Sequence, residues 1–490
     1  MMRRLIGVLA AAALLAAGCG GTTSQIGAGA SDLVPGSAPA FIAIDTDPAS
    51  SQWQTMIALA DKFPDKQKGI DSIKKDLRKE TKLDWEQDVK PAIGTELDFV
   101  WLDFENDGEN FVGLMQPKDE AKFKQLIAKG NASETDPSNR VVYEKFRDWF
   151  VLAQKKATID RFEQASDSET TALSDERAFK QSMDRLGGDS VVRAYINGKF
   201  LMDLARRYGG PQVKPYLDKA GTLDWIAMRF GATSDGLGLD AIVHGTPGKL
   251  FKGVPTSSAF SPKLLGKVPQ NALLYLTFHG SKNMFSRLQE NALFKDQQYR
   301  QFARPLQEIG RVLEGENALY VRPGRARSPD VPFAIPEVTL VAAPGKDTDG
   351  AAILDRLIKR EVGTAPQFET IEGTPVRSMA TNGLGLYYAN IDGKLVVTDE
   401  ASGIRGVLDV GKPLSKSERF TDAADAAGLP DKTYGFLYVD IRSSVPWAEK
   451  LAQQRVPADI GRNLKPLRSA VEYAVSHTHE LQVSFFLRIK

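Results

Sequence analysis

LDWIAMRFGATSDGLGLDAIV, residues 223–243, shares its pattern of apolar residues with LRSAVEYAVSHTHELQVSFFL, residues 467–487. In both stretches, apolar residues alternate with polar ones on either side of a short polar segment. This pattern is typical of two half-buried strands joined by a turn. Residues 476–480 align with the turn at 232–236. We therefore predict that the chain contains two copies of a strand-rich unit.

Further matched segments occur in the same order in both parts of the chain, which indicates an internal duplication. Each part opens with Val-Pro and an apolar strand, and each later contains Leu-Ser before a helix and another strand. The matched pairs are Val34-Pro35 with Val268-Pro269, Asp148 with Asp392, and Leu173-Ser174 with Leu414-Ser415. We predict a first copy at residues 33–244, a linker at 245–266 and a second copy at 267–490.

The order of strands and helices predicts the fold class. Each copy contains roughly eight strand patterns and four or five helical patterns, without strict strand-helix alternation, which favours an α+β fold over a doubly wound sheet. We expect two homologous halves, each a mostly antiparallel sheet with several packed helices. An amphipathic helix follows the first strand of each copy, near residues 53–63 and 284–292. These helices are expected to pack on the sheets, and a groove for an apolar ligand is the alternative.

The first residues have the layout of an export signal. Arg3 and Arg4 precede an apolar run at residues 5–17, which is followed by Gly18 and Cys19. The run is shorter than the roughly 20 residues that a membrane-spanning helix needs. We therefore predict a signal peptide at residues 1–18.

Residues 15–19, Leu-Ala-Ala-Gly-Cys, resemble the bacterial lipobox, although Ala16 stands where that motif usually has leucine. The resemblance implies cleavage between Gly18 and Cys19 and a diacylglyceryl group on Cys19, which would hold the protein on a membrane. An ordinary secretory peptide or a buried thiol are the alternatives for Cys19. The small residues that follow predict a flexible tether at 19–32.

The Val-Pro starts and the Leu-Ser segments also resemble the bacterial envelope family catalogued as domain of unknown function 3352. The resemblance covers most of the chain after the signal. It implies an exported or anchored protein, and it assigns no activity and no catalytic residue.

Composition limits the kinds of function. The 490 residues include one cysteine, so no internal disulfide can form, and 63 basic residues nearly balance 62 acidic ones. This balance gives no support to a nucleic-acid partner. The apolar content of 42% is ordinary for a globular protein.

Three motifs contain residue types that could serve as sites of chemistry. His477 and His479 would share one face of a strand as zinc ligands, but their alignment with a turn favours a solvated hairpin end. Residues 103–108 resemble the start of a calcium loop, but position twelve is Leu114 and the flanks are strand-like, which favours an acidic hairpin. Residues 72–75 have Ser-x-x-Lys spacing in a lysine-rich segment, which favours an exposed helix. We predict no catalytic residue, no metal site and no cofactor.

The sequence therefore predicts a lipid-anchored protein on the outer face of a bacterial membrane, with Cys19 as its attachment point. Its expected role is non-enzymatic binding or scaffolding, with a lipid, another apolar ligand or an envelope protein as partner. The alternative is a hydrolase of envelope polymers, which would depend on carboxylates because the chain has only four histidines.

Overall fold

The computed structural model describes residues 26–105, 108–210, 214, 217–218, 221–246, 259–280, 297–324, 326–328, 331–346, 348–381, 384–452 and 457–490. The chain forms two compact units. The first comprises the described part of residues 26–246 with His479–Gln482 and Lys490, and the second comprises that of 259–478 with Val483–Ile489. Among the described residues, no helix has both the length and the apolar character needed to cross a membrane.

The first unit contains one antiparallel sheet in the order β8-β7-β6-β1-β2-β3-β5-β4. Its strands are β1 (Ala40–Asp45), β2 (Glu96–Trp101), β3 (Phe111–Met115), β4 (Val142–Phe146), β5 (Trp149–Ala153), β6 (Val192–Asn197), β7 (Trp225–Thr233) and β8 (Gly236–His244). Its helices are α1 (Ala28–Ser31), α2 (Ser51–Ala60), α3 (Lys66–Thr81), α4 (Glu120–Ser133), α5 (Lys156–Ser168), α6 (Arg177–Leu186) and α7 (Gly198–Tyr208).

The second unit repeats this strand order with additions. Its sheet runs β20-β19-β18-β9-β10-β13-β17-β16-β15-β14. The strands are β9 (Leu274–His279), β10 (Glu316–Arg322), β13 (Glu337–Ala342), β14 (Gln367–Ile371), β15 (Thr374–Thr381), β16 (Leu384–Ile391), β17 (Lys394–Thr398), β18 (Gly435–Val439), β19 (Leu467–His477) and β20 (Glu480–Ile489), and β11 (Ala326–Ser328) with β12 (Val331–Ala334) forms a separate ribbon. The helices are α8 (Gln297–Val312), α9 (Gly350–Val362), α10 (Ala401–Leu408), α11 (Glu418–Ala427), α12 (Ile441–Ala452) and α13 (Ala458–Leu464).

Helices cover both faces of each sheet. Along β2, Leu97 and Phe99 enter a core with Phe123 of α4, while Val100 faces the opposite side and joins a core with Phe162 of α5. This division follows from the alternation of side chains along a strand. In the second unit, α9 and α10 contribute to two such cores.

The α+β fold with two homologous halves is confirmed. β1 to β8 correspond to β9, β10, β13, β16, β17, β18, β19 and β20, and the same backbone connection recurs in both units. The amide of Leu173 donates to the carbonyl of Val34 at 2.8 Å, and the amide of Leu414 donates to that of Val268 at 2.7 Å. The residues that revealed the repeat therefore tie the start of each half to its own later segment.

Two predicted connecting segments are partly folded. Ala30, at the end of the predicted tether, is completely buried and belongs to the core that contains Val100 and Phe162. Leu264, in the predicted linker, is 2% exposed and belongs to a core of the second unit. Phe260 and Thr433 form an isolated antiparallel bridge, in which the amide of each residue donates to the carbonyl of the other. The folded halves therefore extend beyond the predicted boundaries.

The predicted amphipathic helix near residues 53–63 is α2. The Ser50 hydroxyl accepts a hydrogen bond from the amide of Trp53 and so caps the helix. The indole of Trp53 is buried and donates to the carbonyl of Asp45 at 2.8 Å. The counterpart helix predicted near 284–292 lies outside the described residues.

Candidate functional site

Gly18 and Cys19, the predicted cleavage and lipid-attachment residues, lie outside the described residues. The other sequence motifs can be placed in the structure.

The histidines lie at strand ends. His477 ends β19 and His479 lies in the following turn with a φ of 66°, so both occupy the hairpin end that the alignment predicts. His244 at the end of β8 places Nδ1 3.0 Å from a carboxylate oxygen of Asp224, and its ring stacks on Trp225. In the described part of the chain, one cluster of acidic side chains is compact enough to hold a metal ion, and this cluster contains no histidine.

Asp103 takes part in an internal network. Its carboxylate accepts hydrogen bonds from the side-chain amide of Asn110 at 2.7 Å and the amide of Glu105 at 2.8 Å, and it pairs with Arg161. Burial opposes ionisation, but these donors outweigh it and lower the pKa of Asp103. The flanking segments are the strands β2 and β3, as predicted. The carboxylate therefore has partners within the protein.

The Ser-x-x-Lys segment at 72–75 lies within α3, and Ser72 is exposed. The ammonium of Lys74 donates to the carboxylate of Glu86 at 2.8 Å. The predicted exposed helix is confirmed.

The outer edge of the first sheet is a candidate binding feature among the described residues. Within the described residues, β4 pairs with β5 alone. A groove of about 630 Å³ follows this edge between α4 and α5. Its lining residues are Lys124, Tyr143, Glu144, Lys145, Phe146, Arg147, Phe150, Glu163 and Asp167.

Successive side chains of β4 point to opposite sides of the groove. Tyr143 packs against Phe123 of α4 with 5.6 Å between ring centroids. Phe146 packs against Phe162 of α5 at 6.1 Å. The two helices therefore flank the strand on opposite faces of the sheet.

The two sides of the groove carry opposite charges. Lys124 of α4 lies on the same side as Lys145, whose ammonium donates to Glu120 at 2.5 Å. On the other side, α5 contributes Glu163 and Asp167. Glu120 pairs with both lysines, so the α4 side keeps a net positive charge of about one. On the α5 side the carboxylates outnumber the cations, because, among the described residues, only Arg147 and Lys156 pair with them.

Glu144, Asp160 and Glu163 bring carboxylate oxygens within 4.8 Å of one another on the α5 side. The ammonium of Lys156 donates to Glu144 at 2.5 Å and to Asp160 at 2.8 Å, which offsets their charge. Burial and the nearby carboxylate of Glu144 raise the pKa of Glu163. The ammonium of Lys156 therefore already serves as the counter-ion of this carboxylate cluster.

The short turn between β4 and β5 contains an unusual backbone conformation. Arg147 has a φ of 55°, in the left-handed region that favours glycine. Its guanidinium lies 5.0 Å from the centre of the Phe146 ring and 3.2 Å from a carboxylate oxygen of Asp167. Asp392, in the equivalent turn between β16 and β17, has a φ of 49°, so the conformation belongs to the two-residue hairpin turn.

The corresponding edge of the second unit is covered. β16 is the counterpart of β4, and its outer side pairs with β15 of the hairpin β14-β15. The new outer strand, β14, is exposed at four of its five residues. The two halves thus differ at this edge.

A family whose description is "Protein of unknown function (DUF3352)" matches residues 4–139 and 109–488. The chain belongs to the DUF3352 family. No curated protein shows a significant match to the chain.

Crystal forms IV and III of TP0453 are among the solved structures similar to this DUF3352 protein. They are 17% and 16% identical to it over 47% and 45% of this chain, and over 81% and 78% of theirs. Their TM-scores are 0.26 and 0.25. These scores are too low to relate the folds.

Sequence reasoning missed the groove in this DUF3352 protein. The alternation in Val142–Phe146 and the two-residue turn before Trp149 are a hairpin signal. No local pattern shows that β5 pairs with β3 and so leaves β4 outermost.

Proposed function

We propose that this protein is a membrane-anchored binding or scaffold protein whose binding surface is the groove beside β4. The observation that carries this proposal is the open, charged sheet edge in the first unit, set against the covered edge in the second. The export-signal pattern and Cys19 support an anchor on the outer face of a bacterial membrane.

The anchor has a direct test. A Cys19→Ala variant is expected to lose acylation and to leave the membrane fraction, because it lacks the thiol that would carry the lipid. Metabolic labelling with an alkyne fatty acid and cell fractionation measure both effects. A variant that stays labelled or equally membrane-bound contradicts the anchor.

Binding at the groove is tested by site-specific cross-linking in cells. A photoreactive residue at Lys124, on the α4 side, is expected to give a discrete adduct that the double variant Glu163→Lys, Asp167→Lys weakens. The same residue at Lys75, exposed on α3, is the matched control. Equal adducts at both positions, or none at Lys124, contradict binding at the groove.

The amphipathic helices suggest another form of the binding function, in which the ligand is a lipid or another apolar molecule. In α2, Trp53 and Leu59 are 2% and 3% exposed, so they are used in internal packing. The charged lining of the groove favours a polypeptide partner. Lipid that co-purifies stoichiometrically with the protein lacking its anchor would support the apolar version instead.

A hydrolase is the second candidate, and the carboxylate cluster of Glu144, Asp160 and Glu163 is the observation that favours it. Carboxyl pairs roughly 5 Å apart serve in retaining glycosidases. The contacts of Lys156 with Glu144 and Asp160 weaken this reading, since they engage two of the three groups. Hydrolysis of purified envelope polymer that is lost in Glu163→Gln would favour the hydrolase.

A further inference from the structure

We propose that the groove beside β4 accepts an extended segment of a partner protein as an added antiparallel strand, with acidic side chains toward α4 and basic side chains toward α5. This inference rests on the proposed binding function and specifies the partner. Strand addition supplies affinity through backbone hydrogen bonds and specificity through alternate side chains.

The backbone of β4 is arranged for such an addition. Phe146 and Trp149 flank a two-residue turn, which makes them a hydrogen-bonded pair. Because hydrogen-bonded and non-hydrogen-bonded pairs alternate, the backbone groups of Tyr143 and Lys145 point away from β5. Two amides and two carbonyls therefore face the groove.

The second unit shows what this position accepts. Tyr388 lies three residues before the end of β16, as Tyr143 lies three residues before the end of β4, and Tyr388 pairs with Arg377 of the added strand β15. The Arg377 guanidinium donates to Asp355 of α9 at 2.8 Å, and the hydroxyl of Tyr388 donates to the same carboxylate at 2.7 Å. In the second unit, this edge therefore pairs with an added strand, and an ion pair connects that strand to the flanking helix α9.

Charge defines the incoming strand in the first unit. Residues of that strand that hydrogen-bond Tyr143 and Lys145 place their side chains on the α4 side, beside Lys124. The residues between them point toward Glu163 and Asp167 of α5. Carboxylates in the first set and cations in the second match the charges of the groove.

A second copy of this chain is a poor match for the same edge. Antiparallel pairing of two β4 strands would have its two-fold axis perpendicular to the sheet, so both α4 helices would lie on one side. Lys145 of each copy would then face Lys124 of the other, and Glu144 would face Glu163. Like charges would meet on both sides, which favours a different polypeptide.

The probe is a fluorescein-labelled peptide, Thr-Lys-Glu-Val-Glu-Lys-Thr, whose acidic and basic residues fall on opposite sides of a strand. A peptide of the same composition, Lys-Lys-Thr-Val-Thr-Glu-Glu, mixes the charges on each side and is the control. Fluorescence anisotropy with the purified protein measures binding. We expect the alternating peptide to bind at least about tenfold more tightly, about the factor that 1.4 kcal/mol corresponds to.

Lys145→Pro tests the backbone contact. Proline removes the amide hydrogen of residue 145, which faces the groove, and keeps every β4-β5 hydrogen bond. We expect at least a tenfold loss of peptide affinity. Lys145→Ala keeps the amide and is expected to lose about threefold or less, and it remains informative if the proline variant folds poorly.

Hydrogen exchange resolved to single amides gives the second readout. Peptide binding should protect the amides of Tyr143 and Lys145 and leave that of Glu144, which already bonds β5, unchanged. Equal affinity in Lys145→Pro and Lys145→Ala, or no protection at 143 and 145, overturns strand addition. Protection that grows with protein concentration without peptide identifies a second copy as the occupant and also overturns it.

Different results would reject the two proposals, binding at the groove and strand addition to β4. Cross-links at Lys124 that persist while the 143 and 145 amides remain unprotected would leave binding at the groove intact and reject the strand. Loss of the cross-links would reject the groove itself.

Discussion

The guanidinium of Arg377 donates a hydrogen bond to the carboxylate of Asp355, with 2.8 Å between Nε and Oδ2. Arg377 belongs to β15 and Asp355 to α9, so the contact fastens the added hairpin to the body of the second unit. Burial and the hydrogen bond to Asp355 raise the pKa of the Tyr388 hydroxyl, which keeps it protonated as a donor.

Replacing this arginine should loosen the hairpin. Arg377→Ala removes a charge-assisted hydrogen bond at a position that is 21% exposed and is expected to cost about 1 kcal/mol. Amides of β15 should then exchange faster by about fivefold. The control is Arg405→Ala, whose partner Glu372 lies 3.9 Å away in an exposed pair, and its effect should be within about 0.5 kcal/mol. Equal effects from the two variants would contradict the assigned contact.

Asp98 should make the first unit less stable as pH rises. Burial and the neighbouring Glu96 raise its pKa well above the ordinary value, so the folded state holds a proton that the unfolded state releases above pH of about 4. Asp98→Asn removes this dependence. In urea unfolding at pH 4 and pH 8, the free energy of unfolding of the variant should increase relative to that of the wild type as pH rises. A constant difference between the two free energies would contradict the raised pKa of Asp98.

Asp45 should add to the same trend over a defined range. Burial raises its pKa from 3.8 to about 6, against the opposing hydrogen bond from the Ser50 hydroxyl. The carboxyl therefore reduces stability between about pH 4 and pH 6, by about 3 kcal/mol in total. In an Asp98→Asn background, unfolding measured at half-unit pH steps should place the remaining decline in that interval.

Asp103 should show the opposite sign. Its lowered pKa means that its ionised form stabilises the fold above the ordinary aspartate pKa, and that this contribution disappears as pH falls through the folded-state value. Asp103→Asn is expected to cost about 1 kcal/mol at pH 7 through the lost charge on the Arg161 pair. The difference from wild type should shrink at pH 3. A loss that persists unchanged at pH 3 would point to packing instead.

Two glycines of the first unit should respond differently to alanine. A methyl group on Gly94 would lie 1.9 Å from the carbonyl oxygen of Gln116, so Gly94→Ala should destabilise by about 3 kcal/mol. Gly69, exposed within α3, has open space around its Cα, and Gly69→Ala should stabilise by about 0.5–1 kcal/mol. Urea unfolding followed by tryptophan fluorescence tests both, and a neutral Gly94→Ala would refute the close contact.

The repeat was predictable because it depends on local patterns. Alternation in 223–243 and 467–487 identified β7-β8 and β19-β20, and the Val-Pro and Leu-Ser pairs identified residues that bond to each other across each half. The antiparallel α+β class followed from the order of elements.

The candidate site was not predictable, because it depends on which strands become neighbours. Gly113 of β3 pairs with Leu152 of β5, a contact distant in sequence, and this pairing leaves β4 at the edge. In the described residues of the first half, no strands correspond to the hairpin β14-β15, so alignment of the halves could not reveal it. The charges of the groove come from α4, β4 and α5, which only the folded chain brings together.

The recurring backbone bond between the Val-Pro start and the Leu-Ser segment has an evolutionary consequence. Since each half closes this bond within itself, the duplicated ancestral unit already contained both of its ends. Such a unit could be copied without breaking its own fold. The copies differ at one margin, where the second half carries the hairpin β14-β15 and the first half has β4 as its outer strand. The two halves of this chain thus show which part of the repeat can change while the connection inside each unit is kept.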